Sequence, residues 1–281
     1  MPPAQWGRSG PTAGSSGAPP ASQPSAPPVT PAAASPVALP TFVQPSASTT
    51  TLPGSLPVPT TSPAPATTPP PETKPAAAPV NCAKRKCLAL TFDDGPMTET
   101  EKLLDVLKKQ HVTATFFVVG EQAKAHPGVL RRMVAEGHVV GNHSFSHPEF
   151  WKISAASVKS QLSRATAAIR KATGKKVTLF RPPYGESNAK IRSIAGKQGL
   201  CQILWSVDSL DWRSKNAKEV AKRVLRLARP GAIVLSHDIY PSTRKAWATL
   251  IPKLKKKGYV FVTVPELLGS RIKPGRTYSQ R

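Results

Sequence analysis

Two pairs of side chains in this sequence have the types and spacing of metal-assisted hydrolysis. Asp93 and Asp94 stand side by side at the end of an apolar run, in Thr91-Phe92-Asp93-Asp94-Gly95-Pro96. Neighbouring residues at a strand end point in different directions. One carboxylate can therefore bind a metal while the other accepts a proton. His143 and His147 stand four apart in Gly141-Asn142-His143-Ser144-Phe145-Ser146-His147-Pro148. That spacing can set two imidazoles on one side of a single helical turn. Two His and one Asp form a donor set suited to Zn²⁺ or a similar divalent ion, with coordination positions left for water and substrate. Taken singly, either pair is weak, because Asp-Asp-Gly-Pro is most often a turn and two spaced histidines are most often surface or core residues.

Three further groups stand at the ends of apolar runs. Arg181, in Phe180-Arg181-Pro182-Pro183-Tyr184-Gly185, can fork onto a carboxylate and hold it in register. The two prolines stiffen that loop and aim the backbone N–H groups that follow. In Trp205-Ser206-Val207-Asp208-Ser209-Leu210-Asp211-Trp212, an exposed Trp beside two Asp suits a carbohydrate, since indole stacks on sugar faces. In Leu235-Ser236-His237-Asp238, His237 can act as a general acid near neutral pH. His111, His126 and His138 read as structural or solvated.

The elements that must position these groups begin after residue 80. The first 80 residues hold 22 of the 32 prolines and only three charged side chains, Arg8, Glu72 and Lys74. Such a Pro/Ala/Ser/Thr tail cannot bury enough apolar surface to offset ordering entropy, so it is expected to be disordered. Residues 81–281 form the working domain, with one substantial core. There, apolar runs at 88–92, 115–119, 138–140, 177–180, 202–205, 232–235 and 259–263 read as strands buried on both faces. Amphipathic helices are expected at 101–110, 123–136, 154–173, 188–197, 217–227 and 243–257, the second and third stopping at Gly137 and Gly174. This alternation predicts a parallel α/β fold, either a barrel or a doubly wound sheet, whose active site sits at the C-terminal strand ends. All five groups fall there.

The net charge is +24, and +23 of it lies outside the tail. Such a surface attracts polyanions: nucleic acid, an anionic wall polymer or a lipid surface. Cys82 and Cys87 are placed to close a small disulfide loop before the first strand, and Cys201 reads as a buried small hydrophobe. No apolar run is long enough to span a membrane. No secretory signal is visible. Either the protein is cytosolic or its start is misassigned or removed, and the tail composition, that of extracellular spacers, argues for the second.

The five segments, in this order, resemble the polysaccharide deacetylase family, also called carbohydrate esterase family four. Its pattern T-F-D-D-G, H-[ST]-x-x-H, R-x-P-Y, D-x-x-D-W and L-x-H is matched at 91–95, 143–147, 181–184, 208–212 and 235–237. The resemblance implies a distorted (β/α) barrel with about seven parallel strands. It also implies metal-dependent removal of N-acetyl groups from peptidoglycan or chitin-like amino-sugar polymers. By the same resemblance, Asp94, His143 and His147 hold Zn²⁺ or Co²⁺, and Asp93 is the base that activates water. Arg181 fixes Asp93, and the Tyr184 N–H helps stabilise the oxyanion. His237 protonates the leaving amine, with Asp211 (or Asp208) holding its imidazole. Leu235 and Trp212 line the acetyl-methyl pocket. The expected partners are an acetylated polysaccharide and anionic wall polymers, with no nucleic acid. The expected state is a monomer, extracellular or wall-associated. Two alternatives are an acetyl xylan O-esterase on the same fold and a non-catalytic polyanion-binding module, against which the intact set of catalytic types argues.

Overall fold

The structure, a computed structural model, describes residues 80–281. The expected tail therefore lies outside the described residues except for Val80. From β1 (Lys86–Asp93) the chain alternates strands and helices: α1 (Thr100–Lys109), β2 (Thr115–Val118), α2 (Gly120–Ala125), α3 (Pro127–Ala135), β3 (Val139–Asn142), α4 (Ala155–Thr173) and β4 (Leu179–Phe180). It continues through α5 (Ala189–Lys197), β5 (Cys201–Ile203), β6 (Val207–Asp208), α6 (Asp211–Ser214), α7 (Ala217–Leu227), β7 (Ile233–His237), α8 (Pro241–Lys256), β8 (Tyr259–Val262), α9 (Val264–Leu268) and β9 (Thr277–Tyr278). All ladders between these strands are parallel, in the order β6-β7-β1-β2-β3-β4-β5-β9, and β8 pairs with the first half of β1. The curved sheet is a half-barrel with helices around it, as the barrel expectation required. It has nine strands rather than about seven, because β6 and β9 are two residues each, too short to show a period.

Strand β1 explains where the chemistry sits. Successive side chains point to opposite faces. Leu88, Leu90 and Phe92 pack in the cluster beneath the helices, with Leu103, Leu107 and Trp247. Cys87 and Ala89 face the barrel interior, with Phe117, Ile203 and Val262. Thr91 and Asp93 continue that second, inward row, and both are buried. A carboxylate is thus carried into the barrel mouth by the same alternation that builds the core.

The Cys82–Cys87 disulfide forms, with Cα atoms 5.4 Å apart, and pins the entry segment to β1. Cys201 is buried, and that burial pushes its thiol up to about 11. The helix expected over 123–136 is broken into α2 and α3 at His126, where the following Pro127 forbids the helical conformation (φ −124°, ψ 53°). Helix α4 starts on Ser154, whose side chain accepts the Ser157 N–H, and stops at Gly174 in the left-handed region (φ 68°).

Candidate active site

Asp93 is held by an arginine that has no exposure at all. Arg181 Nη1 donates to Asp93 Oδ1 at 2.7 Å and to Thr91 Oγ1 at 2.7 Å. Its Nε and Nη2 reach the carbonyls of Ile203 (3.1 Å) and Leu204 (3.0 Å), and its plane lies 4.2 Å from the Phe117 ring centroid. Four hydrogen bonds and a counter-charge offset the desolvation cost of a fully buried cation. Burial lowers the Arg181 pKa, against the opposing charge of Asp93. With Oδ1 occupied, Asp93 Oδ2 is the oxygen that faces the histidines, 3.7 Å from His143 Nε2.

Asp94 and the two histidines converge. Asp94 Oδ1 is 3.4 Å from His143 Nε2 and 3.4 Å from His147 Nε2, and one donor atom from each residue lies within 4.8 Å of the others. Bonds of about 2.0–2.2 Å in a tetrahedral shell separate neighbouring donors by roughly 3.3–3.6 Å, so the two measured edges fit a bound divalent ion. The tautomer fits as well. His143 Nδ1 lies 2.7 Å from the Arg181 carbonyl, which can only accept, so Nδ1 carries the proton and Nε2 is left to ligate. Burial raises the Asp94 pKa, but when the histidines are protonated the hydrogen bond and charge of His143 and the charges of His237 and His147 outweigh it and hold it at about 2.

The histidines do not share the helical turn their spacing suggested. The segment after β3 is irregular, with Ser144 (φ 65°) and His147 (φ 57°) left-handed. Side chains replace the helical bonds there. Asn142 Oδ1 accepts the Ser144 N–H at 2.8 Å, and Gln161 Oε1 accepts the N–H groups of Phe145 and Ser146 at 2.8 and 2.9 Å. Asn142 is itself anchored on α4 through the Leu162 carbonyl, at 2.8 Å.

On the opposite side, Asp211 rather than Asp208 meets His237. Asp211 Oδ1 lies 2.8 Å from His237 Nδ1, and its Oδ2 accepts the His237 N–H at 2.7 Å and the Thr243 hydroxyl at 2.6 Å. Burial lowers the His237 pKa, but the Asp211 hydrogen bond and charge override it and raise the imidazole to about 9. Asp208 instead turns back on its own loop, where Oδ1 accepts the Leu210 N–H at 2.8 Å.

Asp93, Asp94, His143, His147, Asp208 and His237 line one cavity of about 440 Å³, with Pro182, Tyr184, Gly185, Trp205, Trp212, Leu235 and Tyr240 completing its wall. Leu235 and Trp212 are both in that wall, and Trp212 is 46 % exposed. Tyr184 is left-handed (φ 58°), and its ring packs on His147 with centroids 4.8 Å apart. The turn's own bonds run from Gly185 N–H to Pro182 O and from Glu186 N–H to Pro183 O, leaving the Tyr184 N–H outside them.

Sequence reasoning missed the supports beneath this site. Besides Asn142, Gln161 and Thr243, the buried Asp238 accepts the Thr100 hydroxyl at 2.5 Å, and Thr100 Oγ1 in turn accepts the Met97 N–H at 2.9 Å. Burial drives the Asp238 carboxyl up to about 7, against the Thr100 bond. A Cβ on Gly95 would stand 2.0 Å from Asp238 Oδ2, so the turn carrying Asp94 rests directly on that carboxyl. Gly95 beside a paired carboxylate was the one local signal for this close approach.

Comparison with known proteins bears on the whole constellation. The family model for polysaccharide deacetylase matches residues 80–203, which takes in the first three motifs. The peptidoglycan-N-acetylglucosamine deacetylase PgdA of Listeria monocytogenes is 45% identical over 194 residues, 69% of this chain but only 41% of that protein's length. The chitooligosaccharide deacetylase of Bradyrhizobium sp. is 39% identical, over 63% of this chain and 89% of its own. The solved structure of T48 deacetylase with substrate superposes with a TM-score of 0.69 at 42% identity, covering 71% of this chain and all of that one.

Proposed function

The chain belongs to the polysaccharide deacetylase family, and we propose that it is a metal-dependent hydrolase that removes N-acetyl groups from amino-sugar polymers of the peptidoglycan or chitin-like type. One observation carries the reading. Asp94, His143 and His147 converge as a donor set, while Arg181-held Asp93 and Asp211-held His237 flank it in the same cavity.

Asp94, His143 and His147 would hold the ion, which we take to be Zn²⁺ from the mixed carboxylate–imidazole donors. When bound, it supplies Lewis-acid polarisation of the acetyl carbonyl and makes water a nucleophile near neutral pH. The chain's own residues do the rest. Asp93, its Oδ1 tied to Arg181, takes the proton from the attacking water on Oδ2. The water oxygen bonds to the acetyl carbon, and the Tyr184 N–H donates to the carbonyl oxygen as negative charge develops on it. The C–N bond then breaks, and the imidazolium of His237 gives its Nε2 proton to the leaving nitrogen, because Nδ1 is held by Asp211. Acetate and a free amine result. Leu235 and Trp212 exclude water around the methyl group, and Trp212 stacks on a sugar face at the rim. The peptidoglycan named for the Listeria relative supports a cell-wall glycan as the substrate and an extracellular or wall-associated site of action.

The test is acetate release from N-acetylglucosamine oligomers and from purified peptidoglycan, by protein stripped with chelator and reloaded with Zn²⁺. Release from either substrate that depends on reloading is expected. No release from both would refute the assignment.

A further inference from the structure

A cavity larger than the catalytic one lies across the loop that follows β6. Asp208 and Trp212 line the catalytic cavity, whereas Ser209, Leu210, Arg213 and Ser214 line the other, of about 640 Å³. Residues of one short segment thus wall both spaces. The far wall is α7, through Lys222, Arg223 and Arg226. A further cavity of about 610 Å³ runs along the other flank of α7, towards α8, lined by Lys218, Lys222, Lys245 and Lys253. Lys222 lines both, so the two form one basic surface around the helix.

The charge there is uncompensated. Residues 212–257 carry 13 Lys and Arg against two acids, Glu219 and the buried Asp238. Glu219 is the single carboxylate in either lining. Of those 13, Arg244 pairs with Glu99, but among the described residues none of Arg213, Lys218, Lys222, Arg226, Lys245 and Lys253 makes an ion pair, whereas Lys102, Lys108, Arg132 and Lys152 elsewhere on the surface do. Lys218, Lys222 and Arg226 also follow one another at four-residue spacing, where like charges repel along a helix. Arg223 is used differently. Half-buried, it donates from Nε to the Asp208 carbonyl at 2.7 Å and ties α7 to the strand end behind the catalytic pocket.

The shape and lining narrow the ligand. The 11 residues of α7 run about 16 Å, too long a row of cations for a single small anion. No aromatic side chain lines either cavity, so nothing would stack a nucleobase. Guanidinium forks and lysine ammoniums both suit phosphate oxygens. We propose that the surface around α7 is a docking site for a linear phosphodiester polymer without bases, of the polyol-phosphate kind. Such a strand would be held one loop away from the glycan in the catalytic pocket. The location beside the glycan rests on the deacetylase reading; the binding itself does not.

The experiment uses the full chain and poly(glycerol phosphate), with affinity measured by calorimetry and no turnover required. Wild-type affinity should fall roughly 50-fold between 50 and 200 mM salt if about four charges engage. Lys222→Glu/Arg226→Glu should bind at least about tenfold more weakly at the lower salt, and the milder Lys222→Gln/Arg226→Gln should fall between. A control reversal on other exposed lysines, Lys159→Glu/Lys190→Glu, should stay within about twofold. Acetate release from a neutral N-acetylglucosamine oligomer should be unchanged in the α7 variants, which separates this proposal from failure of the deacetylase reading. Three results would overturn it: no wild-type binding, equal loss in the control reversal, or equally tight binding of a single-stranded DNA of matched charge.

Discussion

Replacing Asp211 with Asn tests whether the acid in this site is made by one buried carboxylate. Asn keeps the size of the side chain and removes its charge. His237 stands at about 9 instead of 6.5, with Asp211 the largest favourable cause. Losing that cause returns the imidazole towards 6.5 or lower, since burial remains and works against the cation. At about pH 8 the imidazolium fraction would fall from roughly nine-tenths to roughly 3 %, a loss of about 30-fold in the acid form. At about pH 6 the same change removes less than about half of it. The assay is kcat for acetate release across pH 5.5–9.5 on zinc-loaded protein. The descending limb should move from near 9 to near 6.5 or below. A limb that stays near 9, or a loss of the same size at every pH, would refute the charge argument and leave Asp211 a mere spacer. A second readout comes from stability. His237 has a folded pKa above its unfolded value, so its charge stabilises the fold fully below about pH 6.5, and that contribution is lost as pH rises through about 9. Thermal melts of the wild type should show this loss between those limits, and Asp211→Asn should not.

Three further substitutions probe the other side of the site. Asp93→Asn should lower turnover by about 10²–10⁴ while retaining one zinc per chain, and it should also destabilise the fold by roughly 3 kcal/mol, because Arg181 is left buried without its counter-charge; loss of zinc instead would mean the two carboxylates exchange roles. His147→Ala should lower zinc content by elemental analysis with little change in the melting of metal-free protein, and an unchanged content would remove it from the ligand set. Gly95→Ala should cost on the order of 3 kcal/mol in chemical denaturation, from overpacking against Asp238, whereas Gly128→Ala, whose Cβ would meet only the Arg131 tip at 3.9 Å, should be close to neutral.

What could be read in advance follows a physical division. Strands buried on both faces must be apolar throughout, so β1, β2 and β7 announced themselves, and the polar residues that interrupt their ends stood out as chemistry. Features set by neighbours distant in sequence did not. The choice between Asp208 and Asp211 depends on a left-handed Leu210 (φ 53°), which turns Asp208 onto its own loop and leaves Asp211 beneath His237. The His143–His147 segment reads as a helical turn by spacing. It is irregular because Gln161, on a helix that comes later in the chain, takes its N–H groups. The break at Pro127 is a different case. The rule that residues before proline avoid the helical region predicts it from two residues alone, and the periodic pattern on either side concealed it.

The pairing of β1 with β7 explains why base and acid need no moving part to meet. Asp93 and His237 are direct partners in that ladder, and in-register neighbours on parallel strands point to the same face, about 4.8 Å apart along the sheet. Their separation is therefore set by backbone hydrogen bonding rather than by loops. The residue that follows β7 extends the same control to the metal-binding side. Asp238 lies under the turn that carries Asp94, where it receives Thr100 and allows no side chain at Gly95. One strand end thus carries the acid and supports the turn of a metal ligand. A change at Asp238 should accordingly alter zinc affinity and the position of Asp94 while leaving the His237–Asp211 pair intact, so that Asp238→Asn weakens zinc binding in a competition titration with the high-pH limb still near 9. A limb that moved with the zinc affinity would mean the two halves of the site are not held independently by His237 and Asp238.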